Sequence, residues 1–339
     1  MAASSTKLID VARLAQVSTA TVSRALSNPG RVSAQALRRV ESAVQQLRYV
    51  PHGAARALRS QRTRAIGAVV PTLSNAIFAD YTQALHKALE ARGYRMLLAC
   101  NEYDPVSEEA LVAPLLEHGI DALVLVGRDH SAGLFRNMEE HRLPYVLTWT
   151  TSDSSERPCI GFRNREAAAH VADYLIDLQH REFAMIAGIG RGNDRARERV
   201  EGVRMALAAR GLQLKPARIL ESPYSFMAGR QAMRKLMSLT PQPTAVICGN
   251  DVLAIGALAE CHAMGVDVPR TVSITGFDDM QMASITIPPL TTVRVPTEKL
   301  GQLAADYIVN RVEGAEGTVT PELTVDLVVR GTTGPSRNR

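Results

Sequence analysis

The sequence predicts a mixed α/β protein in which a small all-α domain precedes a larger body of two lobes built on parallel sheets. Three observations support this fold class. Residues 8–26 contain two short amphipathic helices joined by a turn, and two later series of apolar, strand-like runs alternate with helical stretches between residues 65 and 279. Basic charge is concentrated ahead of residue 65. Near-continuous apolar strands separated by helices are typical of parallel sheets covered on both faces.

The N-terminal stretch LIDVARLAQVSTATVSRAL, residues 8–26, has the pattern of a helix-turn-helix. Each helix has one apolar face, and Ser18 in the turn is placed to cap the second helix through its hydroxyl. The second helix of such a motif can lie in the major groove of DNA. The residues predicted to be buried are Ile9, Val11, Ala12 and Ala15 in the first helix and Val22, Ala25 and Leu26 in the second.

The outer side of the second helix is the predicted base-reading surface. It presents Thr19, Ala20, Ser23 and Arg24 opposite the apolar stripe. Arg24 is the strongest candidate because a guanidinium can make two hydrogen bonds to guanine O6 and N7. By pattern alone, the same two helices also fit a helical bundle that does not bind nucleic acid.

The distribution of charge favours DNA binding. Residues 1–64 contain 11 lysines and arginines against two acids, whereas residues 65–339 contain 28 basic and 32 acidic residues. The net charge of +5 therefore originates in the first fifth of the chain. A phosphate-binding module on a mildly acidic body has this asymmetry, whereas a charged face that is merely solvated does not require it.

A third helix and a linker follow the motif. Ser33 opens the third helix and Pro51 ends it, so residues 1–50 form the predicted DNA-binding domain. Residues 51–64 combine helix-forming residues with four arginines, which indicates a hinge helix that forms when DNA stabilises it. The predicted DNA contacts of this hinge are Leu58, as an apolar wedge in a minor groove, and Arg56 and Arg59, on the flanking phosphates.

In open parallel sheets, ligands bind beyond the carboxyl ends of the strands. Two lobes of this kind predict a cleft lined by residues that follow strands. For Asp251, an N-cap of the next helix explains the residue as well as a ligand contact does. No regular helix is predicted after Asp278, so an N-cap does not explain that residue. The candidate strand-end residues are 71–75, Trp149, 190–199, Asn250, Asp251, Asp278 and Asp279.

Catalytic and cofactor motifs are absent from the sequence. It contains no G-x-S-x-G, H-E-x-x-H or P-loop pattern, and the eight histidines are isolated and predicted to lie on the surface. Glycines 188, 190 and 192 have the spacing G-x-G-x-G, which argues against a dinucleotide site. The four cysteines lack metal-ligand spacing and are expected to be reduced and buried. We expect a binding protein with no catalytic residues, no cofactor and no metal.

The N-terminus, MAASSTKLID, has no apolar segment behind its lysine, and no apolar run approaches membrane-spanning length. These features predict a cytoplasmic protein. The leading interpretation is a ligand-responsive DNA-binding protein. The alternative is a solute-binding protein or an enzyme with an unrelated basic N-terminal segment, which the missing secretory signal and catalytic motifs disfavour.

The chain resembles the lactose-repressor family of bacterial transcription regulators over essentially its whole length. The similar stretches are DVARLAQVSTATVSRAL, the pattern P-x-x-x-A-R-x-L in residues 51–58, CGNDVLAIGAL, VPRTVSITGFDD and PPLTTVRVP. The resemblance implies a hinge helix and a core similar to periplasmic sugar-binding proteins, with lobes that exchange strands through three crossovers. It also implies a homodimer on a palindromic operator, with an effector in the cleft that changes operator affinity.

The resemblance also suggests lobe boundaries and site residues. The core spans residues 65–335, with an N-lobe of about 65–159 and 293–318 and a C-lobe of about 160–292 and 319–332. The base readers fall on Thr19, Ala20 and Arg24, and the minor-groove wedge falls on Leu58. The implied effector contacts are Phe78, Trp149, Asn193, Arg195, Arg199, Tyr224, Asn250 and Asp278.

Charge in the cleft suggests an effector class. Arg163, Arg195 and Arg199 outnumber Asp278, and a guanidinium fork suits a carboxylate or phosphate. Arg163 stands where the family that the chain resembles commonly has an aspartate. We therefore expect a small sugar acid or sugar phosphate, and a repressor of a carbohydrate or sugar-acid operon. The alternative is that Arg163 or Arg195 points away from the cleft to pair with a neighbouring glutamate.

Overall fold

The computed structural model of the protein describes residues 6–27, 29–49, 62–104, 108–151, 157–315 and 319–336. The chain divides into two compact units, residues 1–64 and 65–339. The first unit is helical, and the second alternates strands and helices around parallel sheets. The predicted fold class is confirmed.

The described residues of the first unit form three helices. Ser18 caps the second of them, because its Oγ accepts a hydrogen bond of 3.1 Å from the Thr21 N–H. Ser33 caps the third in the same way, with Oγ 3.3 Å from the Ala36 nitrogen. The helices are α1 (Leu8–Ala15), α2 (Thr19–Ser27) and α3 (Ala34–Gln46), with a 3-10 turn at Pro29–Arg31.

Ile9 was predicted to be buried, and this prediction is wrong: the side chain is 53% exposed. At 3.6 residues per turn, Leu8, Val11 and Ala15 define the inward face of α1, and Ile9 falls outside that stripe. The buried core of this unit consists of Val11, Ala12, Ala15, Val22, Ala25, Val40, Ala43 and Tyr49.

Helix α3 ends at Gln46, before the predicted stop at Pro51. Arg48 adopts a left-handed conformation with φ 46°, and the Tyr49 N–H donates a hydrogen bond of 3.0 Å to the Val44 carbonyl. A left-handed residue at this position closes a helix by redirecting the chain across its last turn. The redirected chain places Tyr49 in the core, where it is 7% exposed.

The N-lobe of the second unit is built on a five-stranded parallel sheet. Its elements are β1 (Ala65–Val70), α4 (Ala76–Ala91), β2 (Arg95–Cys100), α5 (Glu108–Glu117), β3 (Ala122–Val126), α6 (Ala132–Glu140), β4 (Tyr145–Thr148) and β5 (Cys159–Ile160). The strand order is β2-β1-β3-β4-β5, and every pairing is parallel. The strand that comes first in the chain, β1, therefore lies inside the sheet, with β2 and β5 at its edges.

The C-lobe repeats this arrangement on four parallel strands. Its elements are α7 (Asn164–Asp177), β6 (Phe183–Gly188), α8 (Asp194–Ala209), β7 (Ile219–Ser222), α9 (Phe226–Met237), β8 (Ala245–Cys248), α10 (Asp251–Ala263) and β9 (Ser273–Thr275), with 3-10 turns at Pro216–Arg218 and Gln281–Ser284. The order is β7-β6-β8-β9. Helices α7 and α8 pack together, as do α9 and α10.

The chain passes between the lobes after β5, after β10 (Thr292–Arg294) and after α11 (Thr297–Glu313). Helix α11 packs on α4 in the N-lobe. Strand β10 pairs antiparallel with β11 (Asp326–Val328), and the Ile274 N–H of β9 then donates to the Thr332 carbonyl. An apolar cluster runs through both lobes beside these connections, and it includes Phe162 and Phe277, whose rings stack at 6.0 Å.

Two histidines predicted to be on the surface have buried rings. The His130 side chain is 1% exposed, with Nδ1 at 2.7 Å from a Glu108 carboxylate oxygen and Nε2 at 3.0 Å from the Gly127 carbonyl. His180, also 1% exposed, contacts hydroxyl groups and the Gly334 carbonyl. Both rings are inside because each finds hydrogen-bond partners there.

Gly301 is expected to be required for the packing of α11 on α4. A Cβ at this position would lie 2.7 Å from the Leu85 nitrogen and 2.8 Å from the Ala84 Cβ, and a backbone neighbour cannot move aside. We expect Gly301→Val to lower the free energy of unfolding by roughly 1–3 kcal/mol in denaturant titrations. Gln302→Val, on the exposed side of the same helix, should change it by less than about 0.5 kcal/mol. Equal effects would contradict close packing at residue 301.

Candidate functional site

A cavity lies between the two lobes, where about 320 Å³ of space is not filled by protein atoms and part of that space is open to solvent. Its walls follow the carboxyl ends of strands in both sheets, where open parallel sheets bind their ligands. The N-lobe contributes Asn75, Ile77, Phe78, Tyr103 and Trp149, and the C-lobe contributes Asn193, Arg195, Arg199, Tyr224, Asn250 and Asp278.

Of the nine residues predicted to contact an effector, eight line this cavity. Arg163 does not, and its prediction needs correction. Its guanidinium Nε donates to Glu322 at 3.0 Å and lies 3.6 Å from Glu166, so the acids at the start of α7 and at a lobe connection hold it outside. Tyr103 was not predicted, although it follows β2 and the strand-end rule applies to it as well.

Arg199 is a buried cation at the centre of the C-lobe wall. Its side chain is 7% exposed, Nε donates to the Asn164 Oδ1 at 2.9 Å, and Nη1 donates to the Gly249 carbonyl at 2.6 Å. The guanidinium carbon lies 3.6 Å from the centre of the Phe277 ring. A buried charge requires such compensation, and the remaining edge of the guanidinium is available to the cavity.

Asp278 is the carboxylate of the cavity, and its side chain is 5% exposed. Burial raises the pKa of Asp278 to about 7, although Arg199, at 4.0 Å, and Arg195 both act to lower it. The backbone at Asp278 is unusual, with φ 116°. The group therefore changes charge near neutral pH, within a wall that otherwise carries arginines.

Asp251 is neither an N-cap nor a cavity residue. Asn250 caps α10 by accepting a hydrogen bond of 3.0 Å from the Leu253 N–H. The fully buried Asp251 carboxylate accepts 2.7 Å and 2.5 Å hydrogen bonds from the Met280 N–H and the Thr292 hydroxyl. Burial raises the pKa of Asp251 to about 8, with the neighbouring Asp278 acting in the same direction. The group ties α10 to the turn after β9 and to β10.

Arg195 extends from the start of α8 toward the N-lobe. Its Nη1 donates a hydrogen bond of 2.8 Å to the Asp194 Oδ1, and a side chain at Gly127, the residue after β3, would overlap the guanidinium. Burial tends to raise the pKa of Asp194, but Arg195 and Arg128 hold it below its ordinary value. Asp194 thus stays ionised and neutralises part of the Arg195 charge.

Aromatic rings form one wall of the cavity and span the cleft. Phe78 and Trp149 lie 4.9 Å apart between ring centres in the N-lobe. Tyr103 of the N-lobe lies 5.4 Å from Tyr224 of the C-lobe. Such rings can cover the apolar face of a sugar.

Trp149, the only tryptophan of the chain, is buried to 1% exposure in a left-handed conformation with φ 68°. Its indole Nε1 has no hydrogen-bond partner among the residues that the structure describes. A buried donor without a partner is destabilising by about 1–3 kcal/mol. This cost suggests that an acceptor atom of a bound molecule satisfies the indole N–H.

The G-x-G-x-G stretch provides space in this site. A Cβ at Gly188 would overlap the Tyr224 hydroxyl, which accepts a hydrogen bond of 3.3 Å from the Asn193 amide. The Gly190 carbonyl accepts a 2.6 Å hydrogen bond from Arg197. Gly188 thus leaves room for a tyrosine, and Gly190 contacts an arginine. These packing roles account for the glycines without a bound dinucleotide.

Ion pairs join the lobes at the edge of the cleft. Arg197 of α8 makes a two-pronged contact of 2.5 and 2.7 Å with Asp129, which follows β3. In the other pairs the arginine belongs to the N-lobe and the acids to the C-lobe: Arg128 lies 3.3 Å from Glu198 and 3.6 Å from Asp194. Each lobe therefore contributes one arginine and at least one acid to these ion pairs.

The candidate nucleic-acid interface is the outer face of α2. Thr19, Ala20 and Arg24 are exposed, and Ser23 is half-buried. Arg56, Leu58 and Arg59 lie outside the described residues. Within the described ranges, no helix has the length and apolar character needed to cross a membrane, and no cluster of histidine, cysteine and acidic side chains suits a metal ion.

Comparison with known proteins places the chain in a family. Residues 7–52 match the model of bacterial regulatory proteins of the lacI family, and residues 172–333 match that of the periplasmic binding protein-like domain. The chain is 31% identical over 329 residues to the HTH-type transcriptional repressor CytR of Escherichia coli (strain K12), covering 96% of this chain and 95% of that protein. It is 31% identical over 305 residues to the ribose operon repressor of the same organism, covering 89% and 92%.

A solved structure is similar over both units. The lac repressor dimer bound to operator and the anti-inducer ONPF has a TM-score of 0.87 at 26% identity, covering 98% of this chain and 100% of that one. The chain belongs to the lacI family of bacterial regulatory proteins. It is a DNA-binding transcriptional regulator and not an enzyme, as the sequence predicted.

The pair of Arg197 and Asp129 should stabilise contact between the lobes. Both Arg197→Asp and Asp129→Arg place like charges together, whereas the double variant restores attraction. We expect a coupling energy of roughly 0.5–1 kcal/mol in a double-mutant cycle measured by denaturant unfolding, since the pair is partly exposed. Arg210→Asp is the control, because Arg210 is equally exposed and pairs within the C-lobe. A coupling energy of zero would contradict the contact.

The buried carboxyls should make stability fall as pH rises. Asp278 and Asp251 lose their protons near 7 and 8 in the folded protein and near 3.8 when unfolded, so between these values the folded state binds more protons. Burial lowers the pKa of His180, which acts in the opposite direction. Asp278→Asn should therefore remove up to about 1.4 kcal/mol per pH unit of this decline between pH 5 and 7, measured by urea unfolding. Asp267→Asn, at an exposed pair, is the control.

Proposed function

We propose that the protein is a repressor of a carbohydrate or sugar-acid operon, which binds a palindromic operator as a homodimer and whose operator affinity is set by a small polyhydroxylated acid in the cavity. The observation that supports this most directly is a cavity in which two arginines, one carboxylate and aromatic rings converge from both lobes. The name of the ribose operon repressor, a relative of this chain, also fits control of sugar metabolism. We infer that the protein acts in the cytoplasm, where operator DNA is found.

DNA recognition is assigned to the basic first unit. Arg24, with Thr19, Ala20 and Ser23, reads base edges in the major groove. Leu58 wedges between base pairs in the minor groove while Arg56 and Arg59 contact the flanking phosphates. A homodimer places two such units on the two halves of a palindrome. Exposed apolar side chains of the second unit, such as Met227, Ile285 and Ile287, fit a surface that pairs with a second copy.

The chemistry of the cavity supports the proposed effector class. Arg195 and Arg199 carry two positive charges against Asp278, and Asp194 compensates only one edge of Arg195. A carboxylate or phosphate is therefore the favoured anionic group. Asp278 accepts hydroxyls, the Trp149 indole donates to an oxygen, and the rings cover an apolar sugar face. A sugar acid or sugar phosphate satisfies all of these groups together.

Arg24 should read a base and not only a phosphate. Arg24→Ala is expected to weaken binding to the cognate operator by about 1–3 kcal/mol and binding to random DNA far less, because the lost hydrogen bonds go to a guanine edge. Fluorescence anisotropy with both DNAs measures this difference. Arg31→Ala, in the same basic unit but outside α2, is the control. Equal losses on both DNAs would make Arg24 a phosphate contact.

Sugar acids should stabilise the protein against heat. In a thermal-shift screen, gluconate or a sugar phosphate at 100 times its dissociation constant should add about 2.7 kcal/mol of stability, and neutral sugars much less. Arg195→Ala should abolish the response while leaving operator binding intact. Arg204→Ala, on the exposed side of the same helix, is the matched control. A response to neutral sugars alone would contradict the proposed effector class.

A further inference from the structure

The turn after β9 holds two successive non-glycine residues in the positive-φ region, Asp278 at 116° and Asp279 at 56°. Such backbone persists only where its surroundings determine it, and it is often found at binding sites. Asp278 faces the cavity, whereas Asp279 does not line it. Contacts from outside the turn must therefore keep it in place.

The backbone of the turn is tied to β10. The Asp278 N–H donates to the Val293 carbonyl at 2.8 Å, and Asp278 forms an isolated bridge with Arg294. Asp251 holds the residues on either side of Asp278 and Asp279. Its N–H donates a hydrogen bond to the Phe277 carbonyl, and its carboxylate accepts one from the Met280 N–H. The turn is thus anchored on both sides of Asp279.

The Asp279 carboxylate binds an arginine from each of two lobe connections. One oxygen accepts a hydrogen bond of 2.7 Å from the Arg294 Nε, at the end of β10 and just before α11 enters the N-lobe. The other accepts a 2.6 Å hydrogen bond from the Arg330 Nη2, just after β11. The Asp279 side chain is 9% exposed, and its contact with Arg330, which is 17% exposed, is more shielded from water than its contact with Arg294, which is 56% exposed.

We propose that Asp279 is a positioning residue, which clamps both lobe connections to the turn that aims Asp278 into the cavity and thereby couples occupation of the cavity to the arrangement of the lobes. This inference rests on the proposed function of the cavity as an effector site. Movement of β10 or β11 displaces the clamp, and Asp278 follows because it is the adjacent residue. Binding at Asp278 in turn favours one arrangement of the connections.

The first experiment needs no effector. Trp149 is the sole tryptophan and lines the cavity with Asp278, so its fluorescence reports the charge of that carboxyl. The wild-type signal should titrate with a midpoint near pH 7, and Asp278→Asn should lose the transition. The other ionisable groups around the turn are Arg195, Arg199, Tyr103, Tyr224, Asp251, Asp279, Arg294 and Arg330.

Asp279→Asn and Arg294→Gln separate positioning from simple electrostatics. Asparagine tolerates a positive φ, so Asp279→Asn removes the clamp without a new backbone conflict. If Asp279 positions the turn, both variants free Asp278 to become hydrated, and both lower the midpoint by about 0.3 pH units or more. If only charge matters, losing an acid lowers the midpoint and losing a base raises it. Shifts in opposite directions overturn the proposal.

The second experiment is a double-mutant cycle on gluconate affinity, followed by Trp149 fluorescence. Asp279→Asn should weaken binding about tenfold in the wild type and less than twofold in the Asp278→Asn background, because Asp279 acts through Asp278. A tenfold loss in both backgrounds overturns the proposal. If wild-type protein does not bind gluconate, the effector class fails, and the pH midpoints then decide the role of Asp279. Asp267→Asn is the control in both experiments.

Discussion

The burial of the Arg199 guanidinium is the constraint on which the rest of the cavity depends. A cation that is 7% exposed must be compensated, and no single element supplies the compensation. Asn164 comes from the first helix of the C-lobe, the Gly249 carbonyl from the end of β8, and the Phe277 ring from the end of β9. Satisfying this charge brings these strand ends to one point, which is where the cavity forms.

The same constraint links the cavity to the connections between the lobes. The ring under the guanidinium, Phe277, stacks on Phe162, and both rings belong to the apolar cluster that runs through both lobes. Asp278, the next residue, hydrogen-bonds to β10 through its backbone. A molecule that contacts Arg199 and Asp278 thus touches the residues around which the lobes are joined, and packed cores of this kind tend to switch between discrete arrangements.

Much of this architecture follows from sequence periodicity, because buried parallel strands are continuous apolar runs and the helices between them are amphipathic. The two-residue strand β5 was not predicted, since two residues are too few for a pattern. Ile9 and the end of α3 were misjudged because one extra apolar residue fits a helical stripe approximately, and a left-handed Arg48 has no signal in the sequence. A local apolar pattern identifies the buried face of a helix. It does not identify the residues at the limits of that face or the residue at which the helix ends.

The sequence predicted the site residues whose position follows from the sheet topology. It did not predict the orientation of side chains that depends on ion pairs between residues distant in the sequence. Strand ends select Trp149 and Asp278 without knowledge of their contacts. The orientation of an arginine depends instead on which acids lie near it in space. Arg163 turns to Glu322, which is distant in the sequence and adjacent only because two lobe connections run side by side. Tertiary proximity of this kind cannot be read from spacing.

The ion pairs at the cleft edge contribute to the free-energy difference between lobe arrangements. A bound molecule changes the arrangement only if its affinities for the two arrangements differ by at least a comparable amount. Partly exposed pairs contribute roughly 0–1 kcal/mol each, so Arg197 with Asp129 and Arg128 with Glu198 favour the closed cleft only modestly. A molecule can shift an equilibrium only by its difference in affinity for the two states. Near balance, a difference of about 2–3 kcal/mol suffices to change the dominant state. Weak, reciprocal ion pairs around a strongly compensated Arg199 therefore give a cleft that a small ligand can control.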